Sequence, residues 1–374
     1  MNAQPVRVGA FGPMSPPGTV AAGPDLRSGM EAAVAVLARS ASAPRFQLHF
    51  VDTRGLPETA EPAVARMLEA GVTLLAGEFH SVVAEALLGP VERAGLPFIC
   101  TSATKDAITA RRARNVFRIA PAQSYGWSIF ADYLAHAGWR TVVALLDPTA
   151  YWTAGAAVLE RRLQSSAVTF VRVIADHDED PRDLVRRVQN IVAQSPSPAV
   201  LLPLVGYPEP LGRIAAALSR DAGSGITIAD PAGRPVFHDW SDVAGPRFVS
   251  APYLSYERPG SLSDVGQEIA AEYRRATGRT PTFVALEGAD AILALASAVA
   301  AASTVDAADI CAALRSIRVR GTRAEFAFDT ETEGVVHQQW RWPPAVVVRQ
   351  GNPRRGATEP ELLWSDHESD ALGR

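Results

Sequence analysis

Lysine is almost absent: Lys105 is the only one among 36 basic residues, and arginine carries the rest of the positive charge. Acids are spread among the arginines, the net charge is −4, and no basic stripe forms. That excludes the electrostatic footprint of a nucleic-acid binder. There are only two cysteines, Cys100 and Cys311. They lie far apart without metal-ligand spacing, so pairing depends on the fold and the redox compartment stays open. The seven histidines are scattered; His49, His80 and His177 read as surface or loop residues. No metal or cofactor is expected. No segment approaches the roughly 18 consecutive apolar residues of a membrane span, so the chain is not expected to be membrane-embedded. GxxxxGKS/T is missing, and no GxGxxG follows the first strand, which weakens a nucleotide reading. Ser-His-Asp, HExxH and paired-carboxylate arrangements are missing too, and the expectation is a protein that is not an enzyme. The alternative from another class is a doubly wound α/β enzyme acting on a small polar substrate.

At 374 residues, with 47% hydrophobic and 20% charged residues, the chain fits a globular protein of two domains. The strand VRVGAFG leads to the proline-rich loop GPMSPPG and the long helix AAGPDLRSGMEAAVAVLARS. FQLHFVDT and PETAEPAVARMLEAG repeat the pattern, and NVFRIAP closes the first run. From Gln123 the alternation restarts, with strands TVVALLDP, VTFVRVIA, AVLLPLVG and GITIADPAG separated by amphipathic helices. Two successive runs of strand and helix predict two doubly wound parallel sheets. Residues 350–374 are polar and rich in Gly and Pro, and a loosely ordered tail is expected there.

The stretch VTLLAGEFHSVVAEALLGPVERAGLPFICTSATKD, residues 72 to 106, organises the first run. An apolar strand breaks at Gly77, Ser81 stands where a helix would begin, and a second strand ends in Thr101, Ser102 and Thr104. Both strands then end on one edge of a parallel sheet, where ligands of open α/β sheets collect. Ser81 alone reads as an N-cap and Thr104 alone as a turn residue. Together, on successive strand ends, they point to a site.

The run AGEFHS…GPVERAGLPFICTSAT resembles the second and third βα units of type I periplasmic binding proteins, the leucine/isoleucine/valine-binding class, and the likeness extends from Val6 to about Arg349. The resemblance implies an α/β fold of two doubly wound parallel-sheet lobes joined by a three-stranded hinge. The lobes are expected at 1–121 with 250–334, and at 122–249 with 335–349. RFVSAPYLSYERPGS would cross back to the first lobe, and GTRAEFAFDTETEGVVHQQWRW would form a hairpin reaching the second. Ser81, Ser102 and Thr104 match the family's carboxylate- or amide-holding positions. The match extends to Tyr151 and Tyr207, and Phe79 and Asp230 complete the expected ligand-binding set.

Two departures shape the expected ligand. Where amino-acid receptors carry an acid after the GITIADPAG strand, this chain has Ala232, with Asp230 two residues earlier. Where they carry an aromatic before the first-loop glycine, it has Ala22. A buried ammonium without a carboxylate is costly, so an amide, urea or organic acid is expected to fit better than leucine. APYLSYERPGS, VGYPEPLGRIAAALSRD and GPVERAGLPFIC are similar to the amide- and urea-binding branch, which includes the amidase-operon regulator. The implied partner besides the small molecule is an ABC permease or a regulatory protein. The location is cytoplasmic if the sequence is complete, and periplasmic or extracytoplasmic if a signal peptide was removed.

Overall fold

The computed structural model describes residues 4–176, 179–220, 226–351 and 359–365. The chain divides into two compact units, Met1–Ala122 with Gly260–Pro343 and Gln123–Pro259 with Pro344–Arg374. It therefore passes between them three times. The first unit opens with β1 (Val6–Gly12), α1 (Ala22–Leu37), β2 (Phe46–Asp52), α2 (Ala60–Glu69), β3 (Leu74–Gly77), α3 (Ser81–Ala94), β4 (Phe98–Cys100), α4 (Ala107–Ala110) and β5 (Val116–Arg118). The second unit follows with α5 (Gln123–His136), β6 (Thr141–Leu146), α6 (Ala150–Leu163), β7 (Thr169–Ile174), α7 (Pro181–Gln194), β8 (Ala199–Leu204), α8 (Leu211–Arg220), β9 (Thr227–Ile228), α9 (Trp240–Ala244) and β10 (Tyr253–Ser255). The first unit resumes with α10 (Asp264–Thr277), α11 (Phe283–Ala301), α12 (Ala307–Ser316), β11 (Val319–Arg320), β12 (Glu325–Phe326), β13 (Phe328–Thr330) and β14 (His337–Trp340). The second is completed by β15 (Val346–Arg349) and β16 (Glu361–Ser365).

In the first unit a seven-stranded sheet runs β13-β14-β5-β4-β3-β1-β2. The five leading strands are parallel; β14 joins β5 in parallel and β13 pairs with β14 antiparallel. β3, β4 and β5 are wholly buried, as continuous apolar strands covered on both faces should be. α1 packs on α10 and α11, and α2 packs on α3. α11 is long and apolar enough to cross a membrane, but it is largely buried as the core helix of this unit. Its contact with α1 depends on two glycines. A Cβ on Gly29 would lie 1.9 Å from the Ala285 carbonyl oxygen, and one on Gly288 would lie 2.7 Å from that of Leu26.

The second unit holds a parallel sheet in the order β7-β6-β8-β9 and a separate antiparallel sheet, β10-β15-β16. Asp180 caps α7 by accepting the Arg182 N–H at 2.8 Å, with Pro181 in the first turn, the start its sequence predicts.

Three expectations need correction. The second crossing lies at Pro259/Gly260 rather than near residue 250, because Tyr253–Ser255 pairs with Val346–Val348. The late hairpin stays in the first unit's sheet: Gln339 pairs with Arg118 and accepts the Thr109 hydroxyl, while Phe326 stacks on Trp340. The chain enters the second unit for the last time only after Pro343. Within the expected tail, Glu361–Ser365 is a strand on β15; residues 352–358 and 366–374 lie outside the described residues. Cys100 and Cys311 are both free and buried.

Gly29→Val should therefore lower the stability of the first unit by about 1–3 kcal/mol or more through overpacking. Gly89→Ala, in α3 with no atom closer than 3.4 Å to the new Cβ, should be neutral or stabilising by about 0.5–1 kcal/mol. Urea midpoints of the two variants check the contrast.

Candidate functional site

In the first unit the strand order reverses at β1, which lies between β2 and β3. Such a reversal opens a crevice beyond the carboxyl ends of the strands. Gly77 closes β3 at φ 118°, with its Cβ position 2.3 Å from the Phe11 carbonyl oxygen, so only glycine fits. Glu78 follows at φ 77°, in the left-handed region that an L side chain rarely adopts. Its carboxylate holds it there. Oε1 accepts the N–H groups of Phe79 and His80 at 2.9 and 2.8 Å, and Oε2 accepts the Thr53 hydroxyl at 2.8 Å. Its backbone N–H donates to Phe11, and its carbonyl accepts the Thr101 hydroxyl and the Ser102 N–H. Glu78 thus ties the ends of four strands.

Burial pushes the Glu78 carboxyl up to about 7 against the hydrogen bonds that favour its charge. His80, expected on a surface or loop, is half-buried in the loop before α3, at the helix's N-cap position. Desolvation lowers it to about 4, and Nε2 accepts the Thr19 N–H at 3.0 Å. Neutral imidazole is the form that can accept there. His49 sits in β2, and His177 lies outside the described residues.

Ser81 is the first residue of α3, not its cap. Its Oγ accepts the N–H groups of Thr104 and Lys105, both at 3.1 Å, so the hydroxyl of one strand end orders the loop after the next. Arg118, fully buried, donates to the carbonyls of Thr104 and Lys105 from the other side. Thr104 is buried beside Ser81, and Phe79 meets the His80 ring edge-on at 5.4 Å. Ser102 departs from expectation: its Oγ is sealed from solvent and faces the Glu287 carboxyl, leaving no exposed hydroxyl for a ligand. Glu287 is fully buried in α11, and desolvation raises it to about 8 despite Arg323 nearby. Asp290, one turn on, takes the ion pair with Arg323 at 2.8 Å. Pattern reasoning missed Glu78, Glu287 and Arg118; the acids within the apolar run FVALEGADAILALA were the available signal.

In the second unit, Tyr151 and Trp152 begin α6 after β6 and are half-buried. Their rings meet at 4.9 Å, and both pack on buried Trp127, for which Gly155 leaves room. Tyr207, after β8, is buried between Phe237 and Trp240 with its hydroxyl on Asp239. Burial raises the phenol far above its usual range. Asp230 is not available as a ligand group. It is wholly buried; Oδ2 accepts the Arg234 Nε–H and Oδ1 the Ala232 N–H, both at 2.7 Å. Arg234 also donates to the carbonyls of Val205 and Pro203 at 2.6 Å and lies over the Trp152 ring. The i, i+4 spacing of Asp230 and Arg234 in DPAGR was the legible sign of this pair.

Two doubly wound α/β units, linked by three chain crossings and bearing polar or aromatic groups at the strand ends, define the bilobal class of solute-binding proteins. The chain belongs to the periplasmic binding protein family, whose sequence model matches residues 5–342. It is 24% identical over 194 residues to Leu/Ile/Val-binding protein homolog 3 of Brucella melitensis; the match covers 50% of this chain and about half, 52%, of that relative. Its fold is similar to that of the leucine binding protein LivK of Thermotoga maritima, with TM-score 0.79, 18% identity and 96% and 97% of the two chains covered. It is also similar to an ABC-transporter solute binding protein of R. palustris in complex with benzoate, with TM-score 0.75, 20% identity and 99% of each chain covered.

Arg234→Met should destabilise the second unit by about 3–5 kcal/mol, because it leaves the Asp230 carboxylate buried without its counter-charge. Adding Asp230→Asn should recover part of the loss. Thermal melts of the single and double variants measure the coupling.

Proposed function

We propose that this protein is a non-catalytic receptor that closes on a small organic acid or amide, as the solute-binding component of an ABC transporter. The carrying observation is the closed ion pair of Asp230 with Arg234. It takes up the acid two residues before Ala232, at the loop where an amino-acid receptor would meet an ammonium, and Asp239, further along that loop, accepts the Tyr207 hydroxyl. Glu78 and Glu287, near the Ser81 end, are buried acids raised by desolvation, and neither supplies a solvated counter-charge. The half-buried Tyr151 and Trp152 offer flat apolar faces, which suit an aromatic acid. The solute binding protein of similar fold in complex with benzoate supports that reading.

Ser81, Thr104 and Phe79 in the first unit, and Tyr151 and the buried Tyr207 in the second, are each unit's proposed solute-binding residues. Ser81 Oγ, which accepts two backbone N–H groups, keeps its own proton for a solute oxygen. The relatives favour a permease as partner and an extracytoplasmic location over the regulator and cytoplasmic readings. The R. palustris protein of similar fold is named as an ABC-transporter solute binding protein.

Benzoate or acetamide should bind more tightly than leucine, which would lose an ammonium's hydration without gaining a partner. Ser81→Ala should weaken binding of the preferred solute by about 1–3 kcal/mol, roughly ten- to a hundredfold. Calorimetry with the three solutes checks both. Leucine binding tighter than the other two would overturn the ligand class.

A further inference from the structure

We propose that Glu78 is the positioning residue of the first unit's half-site: it sets the loop carrying Phe79, His80 and Ser81 and makes the opening of that loop depend on pH. The proposal deepens the solute-binding reading and rests on it only for the choice of half-site.

The geometry carries it. Glu78 is wholly buried at the reversal of strand order, in a left-handed conformation. Its carboxyl accepts the Phe79 and His80 N–H groups that begin the loop, and it also takes the Thr53 hydroxyl from the end of β2. Its carbonyl receives Thr101 and Ser102 from the end of β4. His80, fixed in this way, reaches the loop after β1 through Thr19. Each bond survives protonation. Oε1 remains an acceptor of two N–H groups, and a proton on Oε2 can donate to Thr53 Oγ1, whose hydroxyl rotates to accept.

The charged form is the costly one. The ionisable groups around Glu78 are Asp52 from the end of β2, His80 from the start of α3 and Cys100 from β4; Glu287 acts on the same cysteine from α11. Asp52 repels the anion, and desolvated His80 does not offset it.

The sign follows from linkage. A carboxyl raised to about 7 when buried and near 4.5 when exposed stabilises the closed loop fully below pH 4.5, and that stabilisation is lost as the pH rises toward 7. His80, held at about 4 against 6.5 when exposed, acts oppositely, stabilising closure above pH 6.5 and losing that effect toward pH 4. Between pH 6 and 8, Glu78 should ease opening about tenfold and His80 should oppose it about fourfold.

Hydrogen exchange of the amides of residues 79–84, corrected for intrinsic rates, tests this. Opening should become two- to threefold easier from pH 6 to pH 8 in the wild type, yet about fourfold harder in Glu78→Gln, whose amide keeps the same bonds. Parallel profiles would overturn the proposal, as would Glu78→Gln already opening more than tenfold faster at pH 6, which would make the charge the organising feature. If the variant fails to fold, the wild-type series decides alone: a fourfold fall, the signature of His80 by itself, overturns it. Benzoate and acetamide serve as solute probes, and from pH 6 to 8 benzoate should lose more affinity than acetamide, because only benzoate meets the ionised Glu78 as an anion. Binding of neither probe would remove the solute reading and leave the exchange result to judge Glu78.

Discussion

The burial of a single carboxyl at a left-handed residue holds the first unit's strand ends together. Peptide groups at the end of a parallel sheet lose their ladder partners, and each unpaired N–H or carbonyl there costs free energy if buried. Glu78 answers several of these needs at once, through its side chain to Phe79, His80 and Thr53 and through its backbone to Phe11, Thr101 and Ser102. Ser81 continues the arrangement by ordering the loop after β4, and Arg118 braces that loop from beneath. The first unit's strand ends are thus held by a chain of side-chain bonds to backbone.

The second unit solves the same problem with an ion pair. Arg234 caps the Pro203 and Val205 carbonyls at the end of β8, and Asp230 compensates its charge. A buried pair of this kind is worth more for the geometry it specifies than for net stability. It also decides chemistry, because an acid spent on an internal arginine is lost to a ligand. Asp290 and Arg323 form a second buried pair in the first unit, while Glu287 beside them is raised by desolvation.

Much of the architecture was legible because its signals are local. Apolar runs such as TVVALL and AVLLPL can only be buried strands or short core segments, and their alternation with amphipathic helices predicts parallel sheets. Ser81 and Thr104 were legible as strand-end hydroxyls for the same reason. The crossings were harder to place. Tyr253–Ser255 and His337–Trp340 are short, and short strands can pair with either unit; long-range partners such as Val346 and Gln339 decide the outcome.

The sequence by itself determined the two α/β units, the restart at Gln123, the capped start of α7 and the family. Each of these rests on periodicity or on residues a few positions apart. Only the tertiary structure decided which polar side chains are available to a solute. Ser102 turns inward to Glu287, and Asp230 closes on Arg234. Glu78, which pattern reasoning passed over, becomes the knot of the first unit's strand ends. Whether a hydroxyl or carboxylate faces a ligand depends on partners brought in from other strands, and one-dimensional spacing does not carry that information.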